Sequence, residues 1–400
     1  MELLQPEIQS YAWGSSSGIA ELQGRPVPAA GPEAELWMGA HPKAPSGLRR
    51  AGSPTTLEAV IAADPVGELG PASVARFGPR LPFLLKVLSA KQALSIQLHP
   101  SRPQAEAGFR AENERGLAPG DPARNYVDDW PKPELLCALT PFELVAGLRT
   151  PADAAALLRA LGVDSLEPLT AELDRAPSGQ VLAGVLGSIL EWPEAGRAEL
   201  VDDVLTACAR LAPAGGPYAG ACAAAVREGQ HHPGDLGVVA MLLMRHAVLQ
   251  PGQAVFLPAG GLHDYLHGTG VEVLANSDNV IRAGLTPKHV DVPELLKLLD
   301  PDVTVPVLSA RPLSAGIAVY ETPAPEFRLY RLDLPGEPVL LPGTGPRILL
   351  CVEGRAVLHG RPGEVAALGR GESCFISAAD GAVAADGPAR AFLAGTGELS

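Results

Sequence analysis

Glycine and proline punctuate this chain so densely that long regular elements have little room. There are 44 glycines and 40 prolines among 400 residues. Each tends to end or bend an element, so many short strands joined by turns are expected. The exception begins at Thr150. "TPADAAALLRALGV" opens on Thr150, a natural helix N-cap, with Pro151 at the first helical position. "WPEAGRAELVDDVLTACARLA" and "LGVVAMLLMRHAVL" (236–249) keep the helical spacing of apolar residues. Residues 150–248 therefore read as a helical block. The 236–249 run reads as a core helix, because it is too short and too interrupted by Arg245 and His246 for a membrane span. Asp291 reads as the cap of a short helix, "DVPELLKLLD". The expected organisation is a β-rich unit from 1–149 plus 249–320, a helical unit over 150–248, and a smaller β unit over 321–400.

The formal net charge of −14 argues against nucleic acid as a partner, and any bound phosphate must be held by a few local cations. The five cysteines (Cys137, Cys208, Cys222, Cys351 and Cys374) form no CxxC pair and are odd in number. They read as buried thiols in a reducing compartment. "MELLQPEIQSYAWGSS" lacks the basic and apolar regions of a secretory signal. A cytoplasmic protein with no membrane partner is expected, as a monomer, with a dimer left open.

A short repeat links the two β regions. "GQAVFLPAG" starts at Gly252 and "GESCFISAA" at Gly371. Each reads as a turn glycine, an alternating strand and a second turn, which suggests two barrels of one type. His263 follows the first copy, whereas no histidine follows the second, so chemistry is expected in the first barrel alone.

The informative stretch is "ALSIQLHPS" (93–101). It reads as a buried strand, yet it carries Gln97 and His99. Strand side chains alternate, so these two share one face. A hydrogen-bonded core pair is the ordinary reading, since buried polar groups need partners. Two further segments change the balance. "WPKPELLCALTPFEL" (130–144) sets Lys132 and Glu134 at a strand entrance. "LPAGGLHDYLHG" places His263 after a Gly-Gly turn and His267 four residues on. The surrounding glycines disfavour a helix, so one of these two histidines is expected to be a ligand. Gln97, His99, Glu134 and His263 together offer two imidazoles, a carboxylate and an amide oxygen, a set suited to zinc or another first-row divalent ion.

On these residues the sequence resembles the type I mannose-6-phosphate isomerases (phosphomannose isomerases). The matching stretches are "YAWGS" (11–15), "AELWMGAHPKAPS" (34–46), "LPFLLKVLSAKQALSIQLHPS" (81–101), "KPELLCALTPFELVAGLR" (132–149) and the long run 251–292. The resemblance implies a mainly β, cupin (jelly-roll) fold with a helical insertion, one zinc ion in the first barrel, and a metal-free cupin-like barrel at the C-terminus. It assigns Gln97, His99, Glu134 and His263 as the metal ligands. It implies interconversion of mannose 6-phosphate and fructose 6-phosphate through an enediol.

That reaction needs a base, a Lewis acid and a phosphate clamp. Arg282 matches the family's active-site arginine and is expected to stabilise the enediolate or hold phosphate. Glu272 is the candidate base, with Lys132 the alternative. Ser95, Lys86 and Lys288 are candidates for phosphate or hydroxyl contacts, and Trp13 and Tyr265 for the walls of the sugar pocket. Ordinary readings stand beside these: Arg282 in an ion pair with Asp278 or Glu272, Lys288 as a solvated loop lysine, Trp37 in the core, and His41 capping a turn. The chain departs from the family in "GGLH", in Trp130-Pro131 before Lys132, and in His267, expected across the pocket mouth. An iron oxygenase of cupin type and a non-catalytic sugar-phosphate binder are the competing readings.

Overall fold

The computed structural model describes residues 1–397. Its organising element is the strand His263–Ala275, which is long enough to serve two environments. Its second half pairs antiparallel with Phe83–Ala90 on one side and Glu134–Ala138 on the other. Its first half pairs with Phe142–Leu148 and, through His263, with Ile96–Leu98. The change of partners falls at Gly268, whose φ is 129°. A Cβ there would sit 2.8 Å from the Pro141 carbonyl oxygen, so only glycine fits the bend. Outer strands complete an 11-stranded sheet: Glu35–Met38 and Glu7–Gln9 beyond Phe83–Ala90, and Gln253–Leu257 and Val307–Ser309 beyond Glu134–Ala138. Ile281–Gly284 pairs with Ile96–Leu98.

Each half of the long strand is backed by a different layer. Leu36, Met38, Leu85, Val87, Val271 and Val273 point away from the site into an apolar core shared with Tyr320, Phe327, Leu329, Ile348 and Phe375 of the C-terminal region. Ile96, Leu98, Val145, Leu148, Leu262 and Ile281 pack instead against the helices. The alternation that buries these residues outward sends their polar neighbours inward.

The helical block holds the helices Pro151–Leu161, Glu167–Arg175, Gly179–Leu190, Glu194–Leu211 and Ala219–His231. Thr150 caps the first of them, its hydroxyl accepting from the Asp153 amide at 3.2 Å. The expected core helix over 236–249 forms only in part. Gly237–Ala240 is a single turn, and Met244–Leu249 is a strand paired with Phe142–Leu148. Pairing with an available sheet edge overrides a weak helical preference here. Asp291 caps Val292–Leu298 as expected, accepting from the Glu294 amide.

The C-terminal region builds a seven-stranded sheet that also takes in Glu2–Leu3, Arg311–Ser314 and Ile317–Tyr320, with a four-stranded sheet beside it. The two repeat copies fall in the two parts: Gly252 and Gly371 have φ of 87° and 77°, and each precedes a short strand, Gln253–Leu257 and Ser373–Ile376. All five cysteines are buried and free. No helix among the described residues is long and apolar enough to cross a membrane.

Candidate metal centre

The inward face of the sheet carries an unusual load of charge. Across the paired strands, Glu272 stands opposite Lys86, and Lys86 opposite Trp37. Side chains directly opposite share a face. The Lys86 ammonium therefore lies 3.3 Å from Glu35 and 3.7 Å from Glu272, and 5.0 Å above the Trp37 ring. Trp37 is buried and donates its indole N–H to Glu35 at 2.7 Å. Burial works against the charge on Lys86, but Glu35, Glu272 and Glu134 outweigh it and raise its pKa. Glu272 is pushed up to about 8, by burial first and then by Glu134, with Lys86 opposing.

Glu134, first residue of its strand, lies at the centre of the cluster. Its Oε1 is 3.0 Å from Lys132 Nζ and 3.2 Å from His99 Nε2, and its Oε2 is 3.4 Å from His263 Nε2. His99, Glu134 and His263 are buried, and one donor atom of each lies within 4.8 Å of the others. The two imidazoles are fixed from behind. His99 Nδ1–H donates to the Asn279 carbonyl at 2.7 Å and His263 Nδ1–H to the Gly261 carbonyl at 3.0 Å. Each Nε2 is thereby left as a lone pair, the arrangement found behind metal-ligating histidines. Burial, then Lys132, push His99 down to about 4, so its ring is neutral at pH 7. Burial would raise the Glu134 carboxyl, but Lys132, His99 and His263 hold it well below its ordinary range.

His99 Nε2, His263 Nε2 and Glu134 Oε2 have no hydrogen-bond partner despite being buried. Three buried electron pairs thus face one another without a hydrogen-bond donor, a costly arrangement unless a cation lies between them. The residues fit a divalent metal. Gln97 stands opposite both His263 and Arg282 in the strand register, which puts all three on one face. The Gln97 Oε1 accepts from Ser95 Oγ at 3.4 Å.

Around this centre the other expected residues separate into two groups. Tyr265 is fully buried beside His263, edge-on to Phe142, with its phenol pushed up by burial and by Glu272. Trp13 packs on the same apolar cluster and stacks on Tyr11 at 5.7 Å. Lys86 belongs to this deep group. Arg282 is half-buried, and among the described residues it makes no hydrogen bond or ion pair. The ion pair offered as its ordinary reading is absent: Asp278 pairs instead with Lys43 at 2.9 Å and His41 at 3.4 Å, and Glu272 with Lys86. Burial lowers the pKa of Arg282, and burial together with the nearby Arg282 and Lys43 lowers that of Lys288. Arg282, Lys288 and Lys43 thus gather cations at one place in an acidic protein.

One expectation changes. His267 does not face the pocket. A register shift between Tyr265 and His267 sets it opposite Glu143, on the other face of the strand, where it is exposed. Trp130 is buried beneath two guanidinium groups, Arg80 at 4.0 Å and Arg102 at 4.4 Å from its ring. His41 does cap a turn, accepting from the Lys43 amide at 3.2 Å.

Sequence reasoning passed over Asn279 and Glu35. The Asn279 side chain accepts from the Val127 and Asp128 amides and donates to the Asp128 and Trp130 carbonyls. It ties His99 to the segment that leads into Lys132 and Glu134. The available signal for Glu35 was a carboxylate inside the apolar strand "ELWM".

The fold and the site define a mononuclear metalloenzyme whose pocket holds a fixed carboxylate–ammonium pair. The comparisons narrow the class. Residues 1–151 match the catalytic domain of phosphomannose isomerase type I. Over 394 residues, 98% of either chain, the sequence is 37% identical to the mannose-6-phosphate isomerases of Salmonella typhimurium and of Escherichia coli. The Rattus norvegicus enzyme is 33% identical over 401 residues, 93% of this chain and 92% of its own. A crystal structure of the Salmonella typhimurium enzyme with fructose 6-phosphate and zinc superposes with a TM-score of 0.90, at 34% identity, over 100% of both chains. A further structure, with zinc and yttrium, matches equally at a TM-score of 0.90. This chain belongs to the type I mannose-6-phosphate isomerase family.

Proposed function

We propose that the chain interconverts mannose 6-phosphate and fructose 6-phosphate as a zinc-dependent aldose–ketose isomerase. The carrying observation is the convergence of three orphaned donor atoms, from His99, Glu134 and His263, beside the buried Glu272. Gln97 completes the set as an amide ligand on the same face. Bound there, zinc supplies Lewis acidity toward the sugar oxygens.

The chain's own residues supply the rest. Glu272 takes the proton from C2 of the aldose and returns it to C1, its pKa near neutrality suiting both directions. Lys132, 3.0 Å from Glu134, is the alternative proton carrier. Arg282 is free to meet substrate, as a donor to the enediolate oxygen or to phosphate. Lys288 stands beside it for the phosphate, and Ser95 for a hydroxyl. Tyr265 and Trp13 wall the apolar side of the pocket. Lys86 fixes the Glu272 carboxylate and keeps a cation near the developing charge.

The scaffold is read as a metal-bearing cupin barrel, with a helical domain inserted and a second cupin-like barrel carrying no metal. The strands Arg311–Ser314 and Ile317–Tyr320 lie in the C-terminal sheet, which supports moving the boundary from 320 to near residue 310. The working form is a cytoplasmic monomer with one zinc per chain.

A coupled assay with mannose 6-phosphate tests the reading. Turnover lost on chelation and restored by zinc is the expected result. A zinc-loaded protein that does not turn the sugar over would overturn it, and oxygen-dependent activity with iron would replace it.

A further inference from the structure

The strand that carries Gln97 and leads straight into His99 is only three residues long, Ile96–Leu98. Its own pairing is short: Gln97 meets His263 on one side, and Ile281–Gly284 lies on the other. The segment just before it adds a further anchor. Three successive amides there donate to two buried carboxylates. The Ala93 amide donates to Glu228 Oε2 at 3.0 Å, and the Leu94 and Ser95 amides to Asp264 Oδ1 at 3.1 and 3.2 Å. Glu228 is wholly buried and comes from the helix Ala219–His231. Asp264 is buried next to the ligand His263.

The same helix holds the other neighbour of the metal-bearing half-strand. Arg227 donates its Nε–H to Glu228 Oε1 at 3.0 Å, and its NH2 group lies 2.7 Å from Glu143 Oε2 on the strand Phe142–Leu148. Glu143 also meets His246 at 2.8 Å. One helical turn therefore grips both strands that flank His263. A buried glutamate spent on a single loop amide and an adjacent arginine is costly to maintain unless the loop must be held.

We propose that Glu228 is a positioning residue through which the helical domain sets the metal-bearing strand, so that metal binding and the order of the helix Ala219–His231 are coupled. The inference rests on the metal reading above and goes beyond it, because it gives the helical insertion a role in the site. Its path runs from Glu228 through the Ala93 amide to Ser95, Gln97 and His99, with no contact between Glu228 and the site. Such a coupling is reciprocal: what orders the helix tightens the metal, and the metal orders the helix.

The test compares Glu228→Ala, Glu228→Gln and Leu186→Ala, a cavity in the same apolar core at a side chain that takes no part in these hydrogen bonds. Zinc affinity is read by chelator competition, alongside thermal melting of the metal-free proteins. E228A is expected to weaken zinc binding by about 10- to 100-fold, as loss of outer support for metal ligands does. E228Q keeps an acceptor for the Ala93 amide and is expected to stay within about threefold of the parent. Leu186→Ala is expected to lower the melting temperature with zinc affinity unchanged. An E228A protein that melts early but binds zinc like Leu186→Ala would overturn the proposal.

Hydrogen exchange on the unmutated full chain decides the matter should E228A not fold. Zinc is expected to slow exchange at the amides of 93–95 and in the helix around Glu228. Protection confined to the metal strands, with the helix unchanged, would overturn the coupling. Neither readout uses the sugar, so a failure to isomerise mannose 6-phosphate would leave the result standing. An unmutated chain that binds no zinc would overturn both readings.

Discussion

Glu272 and Lys86 stand opposite each other across two paired strands, and their charged groups lie 3.7 Å apart inside the sheet. The pair is buried: removing Lys86 would take away the cation beside Glu272, whereas Lys86 without Glu272 keeps Glu35 at 3.3 Å.

Glu272→Gln keeps the shape and removes the carboxylate. The expected result is a loss of kcat of about 10²- to 10⁴-fold, the range for a positioned acid–base group. Zinc content should be unchanged, because Glu272 lies outside the cluster of ligand atoms. Steady-state kinetics with metal analysis checks both.

The same residue predicts a pH dependence for the metal-free protein. Its folded pKa of about 8 lies above the ordinary 4.5, so the folded state binds this proton more tightly than the unfolded chain. Its stabilising contribution is present below pH 4.5 and is lost as pH rises through about 8. Melting of chelated protein from pH 5 to 9 should show this decline, and Glu272→Gln should flatten it.

The orphaned atoms of His99, Glu134 and His263 predict that metal stabilises the fold. At free zinc a hundred times its dissociation constant the gain is about 2.7 kcal/mol. Calorimetry with and without chelator measures it. His263→Ala should abolish the difference while the protein stays folded.

Arg282 has no partner to lose. Arg282→Ala should leave stability within about 0.5 kcal/mol of the parent, as for a side chain without fixed contacts. It should lower kcat/KM by about 10²-fold or more, the loss expected when a charged donor to substrate is removed. A large loss of stability in this variant would instead mark a structural role.

Asp278 is held well below the ordinary carboxylate pKa of 3.8 by His41 and Lys43, against the effect of its burial. Its contribution is therefore present above that pKa and lost as pH falls. Asp278→Asn should cost about 1 kcal/mol at pH 7. Urea unfolding should show the gap between variant and parent closing at acid pH.

The sequence determined which residue types face the site from each strand. Alternation in "SIQLH" puts Gln97 and His99 on one face because strand geometry has a period of two, a property of the segment alone. The glycine spacing and the Thr150 and Asp291 caps were legible for the same local reason, whereas the proposed ligand set was drawn together by the family resemblance. Only the tertiary structure decided what lies opposite what. The register of His263–Ala275 sets Glu272 against Lys86 and His263 against Gln97, and it depends on pairings between segments distant in the chain. A one-residue shift after Tyr265 turned His267 outward, and an available strand edge drew Met244–Leu249 out of the expected helix. Asn279 and Glu228 escaped notice because a buried acceptor is recognised by the amides it satisfies, and those amides belong to other parts of the chain.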